Sequence, residues 1–101
     1  MTLVQLRHLI SLAHTGSFSQ SAQALHLTQP ALSRSVRALE DELGMPLFDR
    51  IGRRNELTVF GREVLERARL LVSEAEALRD RGRQMREGEG GTGWARGRVR
   101  C

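Results

Sequence analysis

Residues 18–37 constrain this 101-residue chain more than any other stretch. Ser17, with Gln20 three positions on, is a capping arrangement that satisfies free amide groups at a helix start. Phe18, Ala22 and Leu25 follow as a short apolar stripe, which predicts a helix to about Leu25. His26 and Leu27 then make a tight turn. Thr28 caps a second helix, and Pro30 is tolerated in its first turn, where a missing N–H costs nothing. That helix buries Leu32, Val36, Leu39 and Leu43, spaced 4, 3 and 4, and Gly44 supplies its stop. Two helices joined so tightly form a helix-turn-helix, with the outer face of the second helix left for a partner.

The flanking sequence completes a mainly α fold. Thr2 and Gln5 form a capping box, and Leu3, Leu6, Leu9, Ile10 and Ala13 share one helical face that ends at Gly16. Three helices with such short turns make a tri-helical core. Residues 46–50 and 55–58 read as two brief extended segments around the polar tip Ile51-Gly52-Arg53-Arg54, a β-hairpin wing. Thr58 caps a long helix. Its apolar positions Val64, Ala68, Leu71, Ala75 and Leu78 are spaced 4, 3, 4 and 3, with Met85 in phase beyond a gap at Gly82. Such a heptad seam wants a partner helix. A rod of roughly 40 Å, at 1.5 Å per residue, cannot be covered by so small a core, so the expected partner is a second copy of the chain. The expected division is a winged helix-turn-helix over residues 1–58, a dimerisation helix over 59–87 and flexible linker-like sequence over 88–101.

Charge and composition narrow the function classes. Residues 1–78 hold nine arginines against nine acids, and residues 79–101 hold seven arginines against three acids, so the whole formal excess of +4 lies in the tail. Within the folded part the signs are segregated. Residues 1–37 have three arginines and no acid, four acids fall between Glu40 and Asp49, and Arg50, Arg53 and Arg54 come next. Basic beside acidic suits a surface that meets phosphate on one side only. No apolar run approaches the ~20 residues that span a membrane, and the first residues lack a signal-peptide layout, so the expected location is the cytoplasm. Cys101 is the single cysteine, which excludes an internal disulfide and a cysteine-based zinc site. His8, His14 and His26 show no metal-ligand spacing, and no cofactor is expected. Residues 88–93 match G-x-G-x-x-G letter for letter, but they follow a long helix where a dinucleotide site needs a strand before and a helix after.

The second motif helix carries the recognition chemistry. Opposite its apolar stripe stand Gln29, Pro30, Ser33, Arg34 and Arg37. Glutamine pairs with adenine through a donor and an acceptor, arginine grips guanine or phosphate, serine suits either, and Pro30 or Ala31 can touch a thymine methyl. No acid occupies this face until Glu40. An Arg-Gly wing tip beside a reading helix reaches a minor groove or the phosphate backbone; Arg50 pairs with DNA or with an acid such as Glu56. A winged helix that docks an acidic protein is the rival reading, weakened because this face lacks the large apolar anchors of protein interfaces.

Gly-Ser-Phe-Ser-Gln-Ser-Ala (16–22), Leu-Thr-Gln-Pro-Ala-Leu-Ser-Arg (27–34), Leu-Glu-Asp-Glu-Leu-Gly-Met-Pro-Leu-Phe-Asp-Arg (39–50) and Leu-Thr-Val-Phe-Gly (57–61) resemble LysR-type transcriptional regulators. The resemblance implies a winged helix-turn-helix and a linker helix that pairs antiparallel with its copy. It implies a homodimer on an interrupted palindrome in double-stranded promoter DNA, a tetramer for the full-length protein, and a place on the bacterial nucleoid. By position, Gln29, Pro30, Ser33 and Arg34 would face bases and Arg53 would work from the wing. Thr28 and Arg37 would meet phosphate. Family members are about three times longer, with a C-terminal effector-binding domain. Residues 97–101 resemble the broken-off opening of its first strand, so the expectation is a truncated chain that cannot itself sense a small-molecule effector.

Overall fold

The computed structural model describes residues 1–52 and 54–88, Arg50 through its backbone alone. The elements are α1 (Leu3–Thr15), α2 (Phe18–Leu25), α3 (Gln29–Leu43), β1 (Phe48–Ile51), β2 (Arg54–Leu57) and α4 (Val59–Gly88). Each helix starts on a hydroxyl, because its first amides have no carbonyl partner within the helix. Thr2 Oγ1 accepts from the Gln5 amide at 3.1 Å, and the Gln5 side chain accepts from the Thr2 amide at 3.0 Å. Thr28 caps Ala31 at 3.2 Å and Thr58 caps Gly61 at 2.9 Å. At Ser17 only the hydroxyl half of the expected box forms, to the Gln20 amide at 3.1 Å, since the Ser17 amide donates to Thr15 Oγ1 instead.

The face of α1 differs from the sequence expectation. Leu6, Leu9 and Leu12 are buried, Leu3 is exposed and Ala13 is half-buried. The reason is that α1 is central and touches α2, α3 and α4. Leu6 and Leu9 pack with Leu39, Leu47, Ala68 and Val72, whereas Leu12 packs with Ala22, Leu32 and Val36. A helix covered on several sides needs a wider apolar arc than one stripe. Ser21 is also fully buried, and its hydroxyl is matched by Thr15 Oγ1 at 2.6 Å and Ser11 Oγ at 3.2 Å, which removes the cost of an unpaired buried group.

The hairpin is tighter than its sequence suggests. β1 and β2 pair antiparallel with Ile51 opposite Arg54, so two residues connect them, Gly52 (φ +60°) and Arg53, which lies outside the described residues. Two-residue connections with positive φ match the right-handed twist of the strands. Asp49 stands opposite Glu56, a like-charge pair that weakens the ladder. The wing is therefore held by what it touches: Leu47 is fully buried and Phe48 and Leu57 pack on the core. Backbone bonds from Asn55 N to Gly16 O (3.2 Å) and from Thr58 N to Leu47 O (2.9 Å) add to this.

Helix α4 runs unbroken through Gly82 to Gly88 and is ~45 Å long. Its first half belongs to the core. Val64 and Ala68, read from sequence as partner-facing, pack instead against the chain's own α1 cluster, together with Val72, which the seam omitted. Leu71 is 51% exposed and Leu78 74%, with Ala75 half-buried between them. Arg7 on α1 and Glu76 on α4 form an exposed ion pair at 2.9 Å. The residues beyond Gly88, read as a linker and the start of a further domain, lie outside the described residues.

Gly61 sets how closely α4 approaches the wing. A Cβ there would lie 2.1 Å from Leu47 O, against backbone that cannot swing aside. Gly61→Ala is expected to destabilise the fold by about 1–3 kcal/mol or more through overpacking. Gly82→Ala, with nothing within 4 Å, should stabilise by up to ~1 kcal/mol. Thermal unfolding of the two variants checks this, and equal midpoints would rule out the close approach.

Candidate nucleic-acid interface

The reading face is built by the turn that precedes it. His26 takes a left-handed conformation (φ +60°), and the Leu27 amide returns to Ala22 O at 2.8 Å, which turns the chain sharply between α2 and α3. Leu32, Val36 and Leu39 anchor α3 from below, so its first two turns project from the surface. Thr28, Gln29, Pro30, Arg34 and Arg37 are exposed, and Ala31 and Ser33 half-buried. The ridge thus presents hydroxyl, carboxamide and guanidinium groups in one line. Phe18, counted from sequence among the DNA-binding residues of the 18–37 motif, is half-buried and packs against Leu12, Ala22, Leu32 and Val36.

A cleft of about 720 Å³ opens beside this ridge. Its walls join the start of α2 (Ser17, Phe18, Ser19) to Gln29, Pro30 and Ser33 of α3 and to Asn55 of β2. Ser19 and Asn55 were not singled out by sequence, and Ser17 only as a helix cap. The two serines carried a signal, since they flank a helix start where amides are free for anions. Asn55 carried none, because its place depends on hairpin register. The Arg54 guanidinium lies beside Gly16, 3.4 Å from where a Cβ would stand, so it belongs to the α1–α2 turn. Arg50 is paired through its backbone position with Asn55.

The charged groups on this face of α3 are Arg34, Arg37 and Glu40. Glu40 follows Ser33 and Arg37 on the same helical face, but its Oε2 accepts the amides of Leu47 (2.7 Å) and Phe48 (3.3 Å). His8 does not join the site: its Nδ1 lies 2.7 Å from Ser35 Oγ between α1 and α3, and burial pushes its pKa below the ordinary histidine value. Among the described residues no group of three His, Cys, Asp or Glu is placed to hold a metal, and no helix is long and apolar enough to cross a membrane. The ridge offers hydrogen-bonding groups and charge on an α-helix, the kind of element that a B-DNA major groove of about 12 Å admits.

Residues 3–62 match the family described as bacterial regulatory helix-turn-helix protein, lysR family. The chain belongs to the LysR family. It is 53% identical over 77 residues to the SDS degradation transcriptional activation protein of a Pseudomonas species, covering 76% of this chain and 25% of that one. It is 42% identical over 91 residues to the HTH-type transcriptional regulator IlvR of Caulobacter vibrioides, covering 90% and 31%. Among solved structures, the CbnR DNA-binding domain in its DNA complex superposes with a TM-score of 0.80 at 38% identity, over 84% of this chain and 98% of that one. The BenM DNA-binding domain on catB site 1 DNA gives 0.84 at 30% identity, over 88% and 96%. The protein is thus a LysR-type winged helix-turn-helix DNA-binding domain, of a class that regulates transcription and is not enzymatic.

Arg37 lies on α3 two turns after Gln29 and is exposed. Arg37→Ala is expected to weaken specific and random duplexes alike, and to reduce the slope of log affinity against log salt by about one. Anisotropy titrations across salt measure this, and an unchanged slope would take Arg37 out of the phosphate set.

Proposed function

We propose that this LysR-type domain acts as a homodimer on an interrupted palindrome in promoter DNA, each copy reading one half-site. The observation that carries the proposal is the coexistence of an exposed polar ridge on α3 with exposed leucines along the outer half of α4. Gln29, Pro30, Ser33 and Arg34 meet base edges, with Ala31 against a thymine methyl. Thr28 and Arg37 meet phosphate, and Arg53 reaches from the wing toward the minor groove, supported by Arg50 and Arg54. That CbnR and BenM DNA-binding domains have been solved on DNA supports a DNA partner for this face.

The partner-facing part of α4 is narrower than the sequence seam. With Val64 and Ala68 inside the core, the face left for a second copy is Leu71, Ala75, Leu78 and Met85, 45% exposed. Seven-residue spacing between Leu71, Leu78 and Met85 favours packing against another helix. The chain spans about a quarter to a third of the lengths of the two relatives above. On this reading the longer protein works in the cytoplasm on the nucleoid, assembles to a tetramer and receives its small-molecule effector through a C-terminal domain.

Two outcomes test the proposal. Arg34→Ala is expected to cost about 1–3 kcal/mol on the specific site and to relax base preference. Equal loss on specific and random duplexes would make Arg34 a phosphate contact. Leu71→Gln with Leu78→Gln is expected to yield monomers and weaken palindrome binding far more than half-site binding. Sedimentation that finds the dimer intact would remove this face from the interface.

A further inference from the structure

The wing cannot hold itself in place. It is two four-residue strands with acids opposed at Asp49 and Glu56, and isolated two-stranded hairpins are marginal in water. Its entry is fixed from the reading helix. Glu40 reaches across from α3 and places one carboxylate oxygen against two successive backbone amides, Leu47 at 2.7 Å and Phe48 at 3.3 Å. Both bonds are partly buried, and Leu47 itself is fully buried, which makes the acceptor hard for water to replace. Charge-assisted bonds of this kind are the stronger class.

We propose that Glu40 is a positioning residue for DNA recognition: it ties the start of the wing to the reading helix, so that the two contact DNA in fixed register. It touches no DNA itself. Ser33, Arg37 and Glu40 share one face of α3 and, with Asn55, line a recess of about 140 Å³ where helix and wing meet. Two amide donors hold the carboxylate against the first residues of the wing, so it acts as an internal tie with its charge unchanged. On the far strand the Asn55 amide bonds Gly16 O at 3.2 Å, so β2 is tied to the α1–α2 turn, while the start of β1 is tied to α3 in addition to the packing of Leu47 and Phe48. Removing Glu40 should therefore loosen the β1 end and leave the helix-turn-helix intact.

This rests on the reading that the wing meets DNA, so the test separates the two. Glu40→Ala, Glu40→Gln and Arg53→Ala are compared on a bound palindrome by hydroxyl-radical footprinting, with amide exchange of the free protein in parallel. Glutamine keeps an oxygen acceptor and loses only the charge. In Glu40→Ala, exchange at Leu47 and Phe48 should rise, wing-side protection should disappear and affinity should fall about tenfold, the loss of one charged contact. Protection along α3 and the helical circular dichroism should persist, and Glu40→Gln should recover most of both effects. Unchanged exchange or wing-side protection in Glu40→Ala, or a glutamine variant as damaged as alanine, would overturn the proposal. If Arg53→Ala leaves wing-side protection unchanged, the wing-contact reading fails, and the exchange data still decide whether Glu40 sets the hairpin.

Discussion

The backbone of Leu47 is the point on which the other elements depend. Its amide donates to Glu40 of α3, its carbonyl accepts from the Thr58 amide at the start of α4, and its side chain is fully buried in the α1 cluster. Gly61 lets α4 pass directly over that carbonyl. Reading helix, wing and long helix thus meet at one residue between secondary-structure elements. Because these groups are buried or half-buried, losing one leaves an unmatched partner, which costs more than an exposed bond returns. The relative orientation of the three functional elements is accordingly fixed by packing at their junction.

Much of this was legible in the sequence, for a definable reason. Caps, stops and first-turn proline are local signals, and Thr2, Thr28, Thr58, Gly16 and Gly44 all act where their spacing indicated. The ridge from Gln29 to Arg37 was likewise readable, since helical periodicity alone separates it from Leu32, Val36 and Leu39. What escaped depends on contacts between elements. Leu12 is buried because α1 is covered on several sides, and no single-helix pattern reveals how many neighbours a helix has. Asn55 reaches the cleft through a two-residue hairpin register, one residue tighter at each end than composition suggested. Glu40 looked like the first acid beyond the reading face, and its use as a tether depends on a loop seven residues away.

The wing illustrates how function and stability pull apart. Opposed acids at Asp49 and Glu56 weaken the ladder, and Gly52 at the turn has no side chain to pack. A strand pair chosen for stability alone would carry β-branched and aromatic cross-strand pairs. This one is short and charged, and it stays ordered at its base because Leu47, Phe48 and Leu57 are anchored below. The buried apolar residues of the wing thus sit at its base, and Ile51, beside the turn, is left exposed.

The long helix explains its own ambiguity. A strict seven-residue repeat drifts about 20° per heptad around a straight α-helix. Starting from Val64, which packs on the chain's own core, the series passes through Leu71 at 51% exposure to Leu78 at 74%. The same repeat begins against the fold and leaves it as α4 runs past the body, where every residue from Glu76 to Gly88 is exposed. One apolar pattern read from sequence as a single seam is two surfaces joined end to end, the first welding α4 to α1 and the second free for another helix. Because both lie on one unbroken helix, any partner gripping the outer half is mechanically continuous with the cluster that anchors α1 and, through Leu47, with the reading ridge. Rigid coupling of that kind is what spacing two half-sites demands.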